Sequence, residues 1–311
     1  MNKKFKNVLV VLGGLSGERA ISLDSGRACI KALKKKGYKV SSFDPKDKNF
    51  NLINKKKIDV IFNALHGKDG EDGVAQSYFE YLRIPYTHSG VISSFNAMNK
   101  IISKKIFIKN KIKTPKFFSM QKYEYKKEKI FTIIKRQKLK FPIVLKPVNE
   151  GSSLGVEICK NKNKLISSIR FLFKKYEELI FEEYIGGQEI QVAVINQAPL
   201  GAIELIPKRL FYDYKAKYTK KAKTQHVMPA RISKKKYKDV LRIARKAHKA
   251  LNCKGVTRSD FKFYNSSFYL LELNTQPGMT SLSLVPEIAS YKGITFENLV
   301  EKILLDASIN R

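Results

Sequence analysis

The chain has 311 residues, 43% of them hydrophobic, which is enough for two or three modest domains with real cores and too apolar for a disordered protein. Lys and Arg outnumber Asp and Glu by 61 to 27, a net charge of +34, which alone would suit a nucleic acid or an anionic membrane surface. Fifty of those cations are Lys and 11 are Arg, in short runs such as 34–36, 55–57 and 234–236, so they read as a solvated surface and exclude an Arg-forked reader of bases.

From the N-terminus, the apolar run 8–12 ends at Gly13 and Gly14, 22–36 carries helical periodicity stopped by Gly37, and 38–43 and 58–64 are further strand-like runs. This order predicts a parallel α/β sheet. The early lysines and the 8–12 run imitate a signal peptide, but the run is too short and leads into Gly-Gly and the charged Glu18 and Arg19. After Pro85 and the pair Ser89 and Gly90, one helix is expected over 93–110.

A second unit, of α+β character, is expected from Thr114 and Pro115, with short strands at 143–146, 156–159 and 180–183 between Lys-rich helices. From about Gln188 a third unit has strands at 190–195 and 202–206, a polar loop over 212–227, a helix over 236–251 and a hairpin of 259–264 with 268–273. No stretch has the length of a transmembrane helix, and Cys29, Cys159 and Cys253 lie too far apart for a disulfide framework or a zinc site. The expectation is a cytoplasmic chain with reduced thiols and no membrane partner.

Four stretches carry candidate chemistry. The loop from Gly13 to Glu18 joins a strand to a helix, where backbone N–H groups can hold an anion, but it lacks the G-x-G-x-x-G spacing of a dinucleotide site. Glu18 there suits an ammonium, and equally suits a first-turn carboxylate favoured by the helix dipole. His66 opens a glycine-rich charged loop at a strand's carboxyl end, whereas Asp69 and Glu71 in that loop fit a solvated turn equally well. Lys146 ends an apolar strand just before the small-residue loop 150–156, a pairing that can fold over phosphates. Arg258, Asp260, Glu272 and Asn274 stand on the hairpin, with Glu272 and Asn274 on one face by the period of two. Oxygen ligands without His or Cys specify a hard cation, most simply Mg²⁺ carried with a nucleotide.

Six segments in order, GGLSGERAISLDSG from Gly13, HGKDGEDG from His66, LKPVNEGSSLGV from Leu145, EEYIGGQEI from Glu182, FYDYKAKY from Phe211 and ELNTQPGMTSLSLVP from Glu272, resemble the D-alanine:D-alanine ligase family of the ATP-grasp superfamily. The resemblance implies a three-domain ATP-grasp fold with an N-terminal Rossmann-like parallel sheet, divided at 1–100, 101–187 and 188–311. It implies that ATP phosphorylates one D-alanine carboxylate and that the amine of a second D-alanine attacks the acyl phosphate. Asp260, Glu272 and Asn274 would then hold two Mg²⁺ (or Mn²⁺) ions. Lys100 and Lys146 would contact phosphates, Ser152 and Ser153 would close over them, and Glu182, Glu183, Ile185 and Glu189 would take the adenine and ribose.

By the same resemblance Glu18 would hold the first ammonium with His66 nearby, and Arg258 and the Gly278 N–H would stabilise the oxyanion. Lys217, Ser283 and Leu284 would receive the second carboxylate, while Tyr218 would join Glu18 and Ser152 in a set that orders the closed site. The sequence departs from the family at Asn99 (usually Asp), Leu282 (commonly His) and Lys215 (often Glu). The family also implies a homodimer, and no specific nucleic-acid partner. The competing expectations are a ligase that accepts D-lactate or D-serine, a non-specific RNA binder, and an NAD-dependent oxidoreductase, the last disfavoured by the missing glycine spacing.

Overall fold

The structure, a computed structural model, describes residues 4–207, 224–280 and 283–311. Strands β1 (Asn7–Val11), β2 (Lys39–Phe43) and β3 (Val60–Asn63) pair in parallel in the order β2-β1-β3. Central β1 is buried on both sides, as a parallel sheet lying under helices must be. Helix α1 (Arg19–Lys35) starts three residues before its predicted first turn, with Glu18 at the N-cap, and Gly37 at φ +76° turns the chain out of it.

Helix α2 (Val74–Leu82) was not expected, since nine residues are too few to establish a period. The single helix expected over 93–110 is two, α3 (Val91–Met98) and α4 (Lys100–Lys109). They separate at Asn99, whose side-chain oxygen accepts the Ile101 and Ile102 N–H groups at 3.1 and 3.0 Å and so caps α4.

A second sheet is antiparallel in the order β4-β7-β5-β6, from β4 (Phe117–Gln121), β5 (Ile143–Pro147), β6 (Glu157–Cys159) and β7 (Glu178–Glu183). The apolar stripes of α5 (Lys127–Arg136) and α6 (Lys162–Leu172) bury Ile130 and Ile169 against Ile143 and Phe181. Edge strand β4 escaped the sequence reading.

The third sheet runs β10-β9-β8-β11-β12, from β8 (Gln188–Ile195), β9 (Ala198–Ile206), β10 (Gln225–Val227), β11 (Val256–Tyr264) and β12 (Ser267–Asn274). The end of the expected polar loop is thus a strand, while most of that loop lies outside the described residues. One face of this sheet packs on α7 (Lys234–Ala250) and on α4, through Val192, Val240, Phe107 and Leu273. The other face, through Ala193 and Ile203, shares a core with the first sheet. Two helices absent from the sequence reading, α8 (Leu284–Tyr291) and α9 (Phe296–Leu305), complete that shared core, where Ile288 and Ile303 meet Val10 and Phe62. Loops of the first sheet are thereby held against the end of the β11–β12 hairpin.

Candidate active site

The β11–β12 register sets Asp260 opposite Glu272 and Arg258 opposite Asn274, and the period of two puts all four on one face. The Arg258 guanidinium grips the buried Asp260 carboxylate through Nε and Nη2 at 2.8 and 3.0 Å. Lys100 Nζ stands 3.9 Å from Glu272 Oε2, and the Asn274 side-chain oxygen accepts the Gln276 N–H at 2.8 Å. Among the described residues no three His, Cys, Asp or Glu side chains converge as a metal cage. Two facing carboxylates and a carboxamide oxygen are the donor set of a hard cation shared with a phosphate ligand, so the residues fit Mg²⁺ or Mn²⁺.

A cleft between the second and third sheets is lined by Lys146, Ser153, Glu183, Ile185, Glu189 and Lys262, among others. Glu189 is paired with Lys262 at 3.0 Å. Glu182, expected at the adenine and ribose, forms ion pairs with Lys146 at 2.8 Å and Lys104 at 2.9 Å, one through each oxygen. Burial disfavours the Glu182 charge, but the two ammonium groups outweigh it and hold the carboxyl below its ordinary range. Lys100 donates from Nζ to the Glu150 carbonyl, tying α4 to the loop after β5.

A second pocket adjoins the cleft and shares Lys100, Glu150 and Glu272 with it; Glu18, Glu71, Ser152, Arg258 and Asn274 complete most of its wall. The Ser152 hydroxyl donates to Glu18 Oε1, joining the loop after β5 to the start of α1. Ser152 and Ser153 hold φ of +48° and +60°, a left-handed conformation costly for residues with a Cβ. Gly151 permits the approach, because a Cβ there would lie 2.8 Å from Glu18 Oε2.

Of the two readings left open for Glu71 the solvated turn does not hold, for the residue is 6% exposed and lines this pocket. Its Oε1 accepts the Gly67 N–H at 3.0 Å, and its Oε2 has no hydrogen-bond partner among the described residues. Burial and the neighbouring Glu18 push its carboxyl well above the usual range. His66 is buried behind the pocket, bordering a separate groove with Leu15 and Ser16, and its Nε2 lies 3.2 Å from Ser25 Oγ. Burial, helped by the Arg258 charge, lowers it to about 4, so the ring is neutral near pH 7.

The first two donors of the Gly13 loop are already taken: Gly13 N–H goes to Ser22 Oγ at 2.8 Å and Gly14 N–H to Asp44 at 3.0 Å. A Cβ at Gly278 would lie 2.8 Å from Ser283 Oγ, and that oxygen accepts the Thr280 N–H at 3.0 Å. Leu284 is buried as the first residue of α8. Lys217 and Tyr218 lie outside the described residues, as do Lys215 and Leu282. Sequence reasoning missed Lys104, whose signal was its spacing of four from Lys100, and Gln276, a buried amide that takes the Asn63 Nδ2 donor at 2.9 Å.

The D-ala D-ala ligase C-terminus family matches residues 106–305, and the D-ala D-ala ligase N-terminus family matches 41–89. The chain is 58% identical over 309 residues to a D-alanine–D-alanine ligase of Pelagibacter ubique, covering 98% of this chain and 99% of that one. It superposes on the crystal structure of a Bacillus anthracis D-alanine–D-alanine ligase complexed with ATP with a TM-score of 0.84 at 32% identity, each chain covered to 97%. The VanG D-Ala:D-Ser ligase of Enterococcus faecalis aligns with a TM-score of 0.83 at 27% identity, over 96% of this chain and 98% of that one.

Proposed function

This chain belongs to the D-alanine–D-alanine ligase family, and from that premise we infer that it joins two D-alanine molecules at the expense of ATP, for cell-wall precursor synthesis. The product is D-alanyl-D-alanine, released with ADP and phosphate. The observation that carries the reading is the meeting of the two pockets at Lys100, Glu150 and Glu272, where a terminal phosphate in the cleft would face a carboxylate in the adjoining pocket.

Glu18 takes the first ammonium as a buried anion, and Ser152 orients its carboxylate. The first D-alanine carboxylate then attacks the phosphate, with Lys100 and Lys146 balancing the charge. Asp260, Glu272 and Asn274 would hold Mg²⁺ or Mn²⁺, which supplies charge neutralisation across the phosphates. Arg258, held rigid by Asp260, and the Gly278 N–H stabilise the oxyanion that forms as the second amine attacks. Glu183, Ile185 and Glu189 face the nucleotide, Ser153 closes over its phosphates, and Lys217, Tyr218, Ser283 and Leu284 serve the second D-alanine and closure. His66, neutral and buried, positions the loop behind Glu18.

The three-domain division at 1–100, 101–187 and 188–311, one sheet to each, belongs to the same proposal, as does a homodimer. Among the described residues no helix is long and apolar enough to cross a membrane. Cys29, Cys159 and Cys253 are free and buried, and thiols kept reduced fit the cytoplasmic setting that belongs to the same proposal. The test is ADP release from Mg-ATP with D-alanine, L-alanine, D-alanine plus D-lactate or D-serine, and no amino acid, with the product weighed by mass spectrometry. Release that requires D-alanine and yields its dipeptide is expected; a D-alanyl-D-serine product in preference would reassign the acceptor.

A further inference from the structure

We propose that Lys104 is a positioning residue for the nucleotide: it takes up half of the Glu182 carboxylate so that Lys146 keeps net positive charge to offer the cleft. The proposal rests on the reading of that cleft as the ATP site.

The three side chains form a buried row, with Glu182 between the two lysines and one carboxylate oxygen for each ammonium, at 2.9 Å from Lys104 and 2.8 Å from Lys146. Their summed charge is +1. Lys146 and Glu182 line the cleft, whereas Lys104 is fully buried and does not, so it acts only through its neighbours. Thr114 Oγ1 accepts a Lys104 N–H at 2.8 Å and donates to the Leu270 carbonyl at 2.8 Å, and the Phe117 ring lies 5.7 Å away. Glu182 and Lys146 are on the second sheet, while α4, which carries Lys104, packs on β12 of the third. The Lys104–Glu182 pair therefore joins the two walls of the cleft at its base.

A fully buried lysine is costly unless its charge serves another group. Burial draws the Lys104 ammonium down to about 8, opposed by Glu182 and Glu272 and assisted by Lys146, so it is charged near pH 7. Without it, the whole Glu182 charge would fall on Lys146 and the row would be neutral where phosphates bind.

The experiment compares Lys104→Met with Lys104→Met/Glu182→Gln by titrating ATP without amino acid and by steady-state kinetics. Lys104→Met should raise the Kd and KM for ATP by about tenfold, with kcat at saturating ATP changed much less. Adding Glu182→Gln should recover most of that affinity, because Lys146 is then released from the carboxylate; a purely structural role for Lys104 would make the double variant worse. Unchanged ATP affinity in Lys104→Met, or a double variant no better than the single, overturns the proposal. If Lys104→Met does not fold, Thr114→Val is the substitute: a two- to threefold rise in KM for ATP at constant kcat is expected (about that size for one oriented hydrogen bond), and no rise overturns it. Wild-type protein that binds no ATP would instead refute the cleft assignment, and this inference with it.

Discussion

The two pockets that meet at Glu272 are built by opposite means. The nucleotide end is mounted on paired strands, and its charges are already held by partners: Arg258 with Asp260, Lys262 with Glu189, and Lys146 and Lys104 with Glu182, the last set with one positive charge over. The amino-acid end is assembled from loops of distant sequence, with Glu18 from the start of α1, Glu71 from the loop after β3 and Ser152 from the loop after β5. It also buries the Glu71 carboxyl beside Glu18, and Glu71 Oε2 has no hydrogen-bond partner among the described residues. A preorganised cradle suits phosphoryl transfer, in which the protein supplies position and charge. An acidic, loop-built pocket suits a small ammonium that must enter and be covered before a water-sensitive acyl phosphate forms.

The largest expected effects break the strand-mounted end. Glu272→Ala removes a carboxylate common to both pockets and should abolish ADP release with D-alanine; normal turnover would sink the metal assignment. Arg258→Ala deletes a preorganised donor and leaves Asp260 without its guanidinium, and kcat should fall by about a hundredfold with a smaller change in KM for ATP. Equal losses in ATP binding and kcat would place Arg258 in nucleotide binding instead.

The loop-built end predicts a trade of stability for function. The Glu71 carboxyl is raised in the folded protein, so the folded state keeps a proton that the unfolded chain gives up above its ordinary 4.5. Stability therefore falls as pH rises through that window, and the whole cost is present above the raised folded value. Glu71→Gln cannot ionise and can still accept the Gly67 N–H. It should melt a few degrees above wild type at pH 8, the difference closing near pH 4, while KM for D-alanine rises. An equal shift in melting temperature at both pH values would show that packing, not ionisation, is responsible.

How much was legible in the sequence follows the same division. Glu272 and Asn274 could be placed on one face because strand periodicity is local, and the strand register, which the sequence does not show, adds Asp260 opposite Glu272. Glu71 could not be read, because a glycine-rich acidic loop looks the same whether water or Glu18 surrounds it; only the packing of the first sheet against the third decides. Lys104 was hidden among 50 lysines, although its spacing of four from Lys100 placed both on one side of α4. Helices α8 and α9 were missed, and with them the shared core that carries the Glu18 and His66 loops to the hairpin.

The smallest effect concerns Asn99, the residue between α3 and α4 that stands where the family resemblance implies Asp. Its carboxamide oxygen caps Ile101 and Ile102, and the next residue is Lys100, whose ammonium reaches both Glu150 and Glu272. Capping needs an acceptor oxygen and not a charge, so Asn meets the structural requirement fully. Asn99→Asp should thus change stability by no more than a few tenths of a kcal/mol, with a slight gain from the helix dipole. Asn99→Ala should cost about 1 kcal/mol, read in urea unfolding, and should raise KM for ATP modestly by loosening the first turn on which Lys100 sits. A large effect of Asn99→Asp on ATP affinity, without a change in stability, would mean that charge at this position acts on the phosphates directly, and that the cap is incidental to why an acidic residue is common there.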